Sequence, residues 1–320
     1  MNRFLQEFKQ LGIDILSTTM TLFKVMIPMI ILIEIADNLG GVELLSDLLE
    51  PLMALLGLPS SMALVWATTM LTNLYAGILV LINTEATLTV AQVTVLSSLL
   101  LICHGLPLES TISKKAGAPL WAIVSLRVVG GLAFAWLQKI YFDATSTNQH
   151  VTKILWQGES KVYDNYFDWT LGQLESLMSI FVVIAILLCM LRVLKLLKIE
   201  NLMGLILTPL LKMLRVSKDA ANLAVVGITL GLSYGGGLII NETKNGNLSR
   251  ADALITVLLL NLLHSIIEDT ALVLLLGADL MMVLWARIIF SIVVMVIISR
   301  IYMAYRNRKE SLDGSSLSQS

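Results

Sequence analysis

Charge is what this chain has least of. Only 14% of its 320 residues are Asp, Glu, Lys or Arg, against the roughly 25% usual in soluble domains. Hydrophobic residues make up 57% and the mean hydropathy is +0.83, which excludes an ordinary soluble fold. Cysteine is nearly absent. Cys103 and Cys189 each sit inside an apolar run, which argues against a disulfide framework. Neither HExxH nor CxxC occurs, so no structural metal and no cofactor are expected. A nucleophile–base signature is lacking too, and the chain does not read as an enzyme. The net charge of −1 supplies no field for nucleic acid. The opening MNRFLQEFKQLG is followed by no small-residue cleavage site, so no removable leader is expected.

What the chain has in abundance is aliphatic sequence. Residues 25–33, 179–191, 253–263 and 288–299 are almost unbroken apolar runs, and a spanning helix needs about 20 such residues. The class is an all-α polytopic membrane protein.

An internal repeat organises it. At an offset of 160, His104, Glu109 and Ser110 fall on His264, Asp269 and Thr270; Gly117-Ala118 falls on Gly277-Ala278, and Arg127 on Arg287. Histidine, carboxylate and arginine are costly in a bilayer, so their coincidence carries more weight than overall identity. Upstream, Tyr75-Ala76-Gly77 matches Tyr234-Gly235-Gly236, and Asn83 and Glu85 answer Asn241 and Glu242. Two repeats are expected, 20–140 and 168–303. They are flanked by an amphipathic N-terminal helix (1–19), a polar linker (141–167) and a polar, disordered tail (304–320).

Charge bias orients the repeats. Arg300, Arg306, Arg308 and Lys309 follow the last apolar helix, which places that end in the cytoplasm. The equivalent end of the first repeat runs into the mixed-charge linker, which reads as external. The first helices of the two repeats show opposite charge bias as well, so the repeats are expected to be inverted, with both termini cytoplasmic. Inversion requires an odd number of crossings per repeat. Residues 62–83 and 219–240 are broken by TNLYAG and LSYGGG, and half-length arms of about 16 Å suit a re-entrant hairpin. Each repeat then reads as a spanning helix, an interfacial helix (42–56; 201–215), the hairpin, a spanning helix (90–105; 250–265) and a last spanning helix (117–138; 279–300). A full span at 62–83 would instead give four crossings and parallel repeats.

Broken backbone at membrane depth marks binding sites in transporters built from repeats. The hairpin tips carry Asn73 and Tyr75 in one repeat and Ser233 and Tyr234 in the other; close helix packing by the adjoining glycines is the plainer reading. Asn83, Glu85, Asn241 and Glu242 form either a polar rim for solute or simple interfacial caps. His104, Glu109 and Ser110, with His264, Glu268, Asp269 and Thr270, are candidates for coupling or gating, since histidine beside an acid can shuttle protons near neutrality. His264 and Glu268 stand i, i+4 and would share a helix face. Helix-end hydrogen bonding is the alternative for both histidines. Arg127 and Arg287 need partners inside the protein and are expected in structural ion pairs, with Glu109 and Asp269 as candidates.

With Pro51 and Pro209 in the interfacial helices, the breaks at Asn73-Leu-Tyr-Ala-Gly and Ser233-Tyr-Gly-Gly-Gly, and the repeated histidine segments, the chain resembles the nucleoside-recognition, or gate, domain family. That family is related to concentrative nucleoside transporters, the ferrous-iron transporter membrane domain and spore maturation proteins A and B. The resemblance implies an inner-membrane protein whose hairpin tips line a central site. There is no GTPase domain and no hairpin-tip cysteine, which argues against iron.

The leading expectation is a secondary transporter of a small polar solute, nucleoside-like or other, driven by H⁺ or Na⁺, in a bacterial-type inner membrane. Its partners would be the solute, membrane lipid and, as a homo-oligomer, further copies of itself. The alternatives are a divalent-metal pathway using His104, Glu109, His264 and Asp269, and a non-transporting scaffold acting with a partner protein.

Overall fold

A computed structural model describes residues 2–84, 86–152, 165–197 and 199–317. The rim candidate Glu85 and linker residues 153–164 lie outside the described residues. Among those described, the regular structure is helical apart from one antiparallel bridge, Thr89 to Val151.

The helices cluster into two compact units that interleave along the chain. The first holds Met1–Leu108, Arg127–Ile199 and Ile267–Leu284. It contains α1 (Asn2–Asn38), α2 (Gly41–Leu55), α3 (Met62–Leu71), α4 (Leu74–Asn83) and α5 (Val90–Cys103). Most of α7 (Leu120–Thr145), with α8 (Tyr166–Leu196) and α13 (Glu268–Leu274), completes it. The second unit holds Glu109–Leu126, Glu200–Ile266 and Trp285–Ser320. It contains most of α6 (Leu106–Lys115) and α9 (Ile199–Lys212), together with α10 (Lys218–Leu230), α11 (Leu232–Lys244), α12 (Arg250–Leu262) and α14 (Arg287–Leu317).

Length and apolarity allow four helices to cross a membrane: Lys9–Asn38, Leu120–Thr145, Tyr166–Leu194 and Met281–Arg306. A fifth span arises if α5 and α6, which meet at 40°, count together. The expected spans at 90–105 and 250–265 are therefore corrected. With 14 and 13 residues, α5 and α12 rise only about 20 Å, short of the ~30 Å hydrocarbon core. Both stop at a histidine segment. Gly105 and Ser265 there take positive φ, at 58° and 47°, which no helix continues through. The amphipathic N-terminus and the first span form one helix, α1, with Pro28 inside it. The tail expected to be disordered is helical as far as Leu317.

Both predicted hairpins are present, and one close approach in each establishes it. Residues eight apart in an unbroken helix lie about 12 Å from each other. Yet Gly77 touches Thr69 so closely that any Cβ at position 77 would collide with its side chain. Gly235 approaches the Cα of Gly227 in the same way. The unbroken 62–83 span is thereby excluded. Asn73 caps α4, its side-chain oxygen accepting from the Ala76 amide at 2.9 Å. The α10–α11 break is at Gly231, whose φ of +96° disfavours any side chain.

Capping residues start the helices behind the hairpins. Thr89 forms a capping box with Gln92 on α5, and Gln92 also donates to the Gly57 carbonyl at 2.9 Å. Ser249, matching Thr89 at the repeat offset, accepts from the Asp252 amide at 3.0 Å on α12. α5 is predominantly apolar, with Thr94, Ser97 and Ser98 buried among its aliphatic residues, and it is buried along nearly all its length, as suits a helix at a domain centre. The linker's first residues dock on its start: His150 accepts from the Val90 amide and Asn148 from that of Ala91.

Candidate functional site

The polar residues of each unit collect where its central helix breaks. In the first unit α5 ends at His104, which is 7% exposed. Its Nδ1 lies 3.1 Å from the Leu100 carbonyl, and its Nε2 is 3.7 Å from Oδ2 of Asp269 on α13. Arg127 of α7, fully buried, donates from Nε to the Ile102 carbonyl at 2.6 Å and from its terminal nitrogen to the carbonyl of His104. The last carbonyls of a helix lack intrahelical donors, and here a guanidinium fork supplies them. The Gly105 amide donates to the Thr69 carbonyl at 3.0 Å, tying this break to the hairpin. At the hairpin tip, the Tyr75 hydroxyl donates to Oε1 of Glu268 at 3.0 Å. Glu268 and Asp269 open α13, where the helix dipole favours negative charge.

The second unit repeats the arrangement. α12 ends just before His264, whose Nδ1 is 2.6 Å from the Leu260 carbonyl and whose Nε2 is 3.2 Å from Oε1 of Glu109 on α6. Arg287 donates to the carbonyls of Leu262 at 3.1 Å and His264 at 3.3 Å. The Ile266 amide donates to the Ile228 carbonyl on the hairpin at 2.9 Å. Asn261 donates to Ser113 of α6 at 2.8 Å. A single π-helical turn, Met281–Ala286, precedes Arg287; Arg127 has no such turn before it.

The acids are exchanged between the sequence repeats. Asp269 from the second repeat serves His104 of the first, and Glu109 from the first serves His264 of the second. The helical i, i+4 relation of His264 to Glu268 is corrected, because α12 ends at Leu262 and α13 begins only at Glu268. Glu268 reaches Tyr75 instead. The hydroxyls of Ser110 and Thr270, beside the two acids, are buried without a hydrogen-bond partner.

The remaining candidates are spread out. Ser233 and Tyr234 are exposed, Tyr234 at 57%, and Asn241 is exposed. Asn83 and Glu242 stand at the open ends of their hairpins. Asn83 lines a cavity of about 590 Å³ in the first unit, among α1, α4 and α8. Glu242 lines one of about 400 Å³ in the second, near Asp219 and Asn247, and accepts from Asn247 at 2.8 Å. Sequence reasoning missed the other polar walls of the larger cavity: Glu34 and Asp37 on α1, and Trp169, Gln173, Glu175 and Ser176 on α8. Of these, only Glu34, Asp37 and Glu175 left a signal in the sequence, as charge bias at helix ends.

Fold and buried polar breaks together define a polytopic α-helical membrane protein with paired helical hairpins. Residues 19–113 match the family model described as Gate, nucleoside recognition. Over 305 residues the chain is 25% identical to the uncharacterized membrane protein YvoD of Bacillus subtilis (strain 168), which covers 90% of this chain and 93% of that relative. No solved structure gives a match. The likeness to the nucleoside-recognition, or gate, family is thus carried by residues 19–113, and both likenesses support a membrane-transport-related role.

Proposed function

We propose that the protein is a secondary transporter of a small polar solute, coupled to H⁺ or Na⁺, built from two inverted repeats with both termini in the cytoplasm of a bacterial-type cell. One observation carries the reading. Inside an apolar helical frame, a hairpin tip (Tyr75), a helix break (His104) and the acids at the start of α13 (Glu268, Asp269) form one partly buried polar chain. Ionisable groups at such depth are costly and are kept for ligand or ion handling. Breaks of this kind in both halves of a chain are the feature that places transporter sites.

Uptake into vesicles holding the purified protein tests this, with nucleosides and small carboxylates as solutes under imposed proton and sodium gradients. Accumulation that collapses with one gradient supports coupled transport. Absence of uptake for every solute, with the protein folded and monodisperse, favours the scaffold reading. A rise in melting temperature with a divalent metal alone favours the metal pathway, because a ligand of the native state stabilises it by mass action.

A further inference from the structure

The last helices of the two repeats differ where the sequence would make them alike. Gly117-Ala118 and Arg127 match Gly277-Ala278 and Arg287 at one offset, so equal lengths of chain lead from each glycine turn to each arginine. From Leu120 onward that stretch is α-helical in α7, whereas Met281–Ala286 is a π-helical turn. A π turn closes one residue later than an α turn and so holds one residue more. Polar contacts within the first unit hold it. The Asp279 amide donates to the Thr94 hydroxyl at 2.9 Å. The Asp279 carboxylate accepts from Asn148 and from the Met282 amide, both at 3.1 Å. Gln138, which is buried, donates to the Met282 carbonyl inside the turn at 3.3 Å. The residues that answer Asp279, Thr94 and Gln138 in the other repeat are Pro119, Leu254 and Ile298. None of those side chains can hydrogen-bond, and there the helix is regular. Beyond the π turn, Arg287 holds the carbonyls of Leu262 and His264.

We propose that Met281–Ala286 is a conformational switch, latched as a π turn by Asp279, Thr94 and Gln138 and returning to α-helix when the latch opens. The conversion moves Arg287, relative to the start of its own helix, by about one residue, roughly 100° around the axis and ~1.5 Å along it. That takes the guanidinium off the end of α12, beside His264. The switch goes beyond the transport reading: only its place in a transport cycle rests on that reading, and its test needs no uptake.

The experiment is pulsed electron paramagnetic resonance on the full chain in nanodiscs, with Cys103 and Cys189 replaced by alanine and spin labels on cysteines placed at Leu205 and Ile289. Both positions are exposed and lie in the second unit. Asp279→Ala with Gln138→Leu should shift the distance between the labels by several ångströms. Deleting Leu284 from that double variant removes the extra residue of the turn and should return the parental distance. Deleting Leu284 from the parent should give folded protein with the parental distance. Deleting Val124, its match in the regular helix, should abolish folded protein, because no slack exists there and Arg127 is rotated off its carbonyls. Melting temperatures establish which variants fold. Thr94→Val, which removes a single latch bond, should add a second, shifted distance and decides the matter if the double variant does not fold. A parental distance alone in the folded latch variants would overturn the proposal. So would deletion of Leu284 proving as disruptive as deletion of Val124.

Discussion

His264 Nε2 stands 3.2 Å from Oε1 of Glu109, a residue from the other half of the sequence. His104 meets Asp269 in the converse exchange. Each histidine is also anchored through Nδ1 at the carbonyl of the residue four before it, so the ring orientation is set from the helix side. The acid then decides whether the outer nitrogen is bonded. Coupling of this kind is measurable. His264→Gln and Glu109→Gln should each lower the melting temperature in detergent. The double variant should fall short of the sum of the two, as expected for residues in contact. Strict additivity would mean that the pair contributes nothing to holding α6 in the second unit.

Arg127 is expected to matter chiefly for folding. Its fork satisfies the carbonyls of Ile102 and His104 at the end of α5, and each charged hydrogen bond is worth about 1.5–3 kcal/mol. Arg127→Gln should therefore reduce yield of folded protein sharply. Arg127→Lys should rescue little, because an ammonium cannot span two carbonyls with planar geometry. Full-yield protein with a parental melting temperature from Arg127→Gln would contradict this.

Much of this was legible in the sequence, and the boundary of what was not has a physical cause. The hairpin break at Asn73 announces itself through local chemistry, whereas the second, expected at Ser233-Tyr-Gly-Gly-Gly, falls two residues earlier at Gly231. The matched His, acid and Arg positions were readable because such residues are expensive in an apolar chain. The shortness of α5 and α12 was hidden, since runs such as Leu99–Ile102 are apolar up to the break and nothing in their period marks the end. The exchange of Glu109 and Asp269 was hidden for a different reason. It is a long-range pairing between helices, and hydrophobic periodicity reports a helix's own buried face without naming its partner. Trp169, Gln173 and Ser176 look like ordinary interfacial residues until α8 is placed beside α1 and α4.

Gly77 should tolerate no side chain while Thr69 faces it. Gly77→Ala forces its Cβ into the Thr69 hydroxyl, and overpacking of this kind costs about 1–3 kcal/mol. Thr69→Ala in the same chain removes the colliding atom and should recover part of the loss. Thermal melts of the two single variants and the double decide it; a parental melting temperature for Gly77→Ala would mean the hairpin arms open readily.

Cysteine accessibility tests inversion. With Cys103 and Cys189 replaced by alanine, cysteines at Ser146 and Ser316 should react with an impermeant maleimide from opposite sides of the membrane, Ser146 from outside. The motive is the reversed charge bias of the two repeats. Labelling of both from one side would give parallel repeats.

The last prediction concerns coupling. Histidine changes charge near neutral pH, and each of the two buried histidines has an acid against its outer nitrogen. His150, the third, lies in the linker and is exposed. A proton accepted at a buried pair strengthens its ion pair, and its release frees the acid. On this reading His104→Gln and His264→Gln each flatten the dependence of uptake on external pH and leave solute affinity within about twofold, roughly 0.4 kcal/mol. Tyr75→Phe, which removes the hydrogen bond to Glu268 without touching either histidine, should lower the uptake rate and keep the pH profile. Uptake against external pH in reconstituted vesicles, for the parent and the three variants, separates these effects. An unchanged profile in both histidine variants would reduce the rings to helix-end hydrogen bonders and move the coupling to Na⁺.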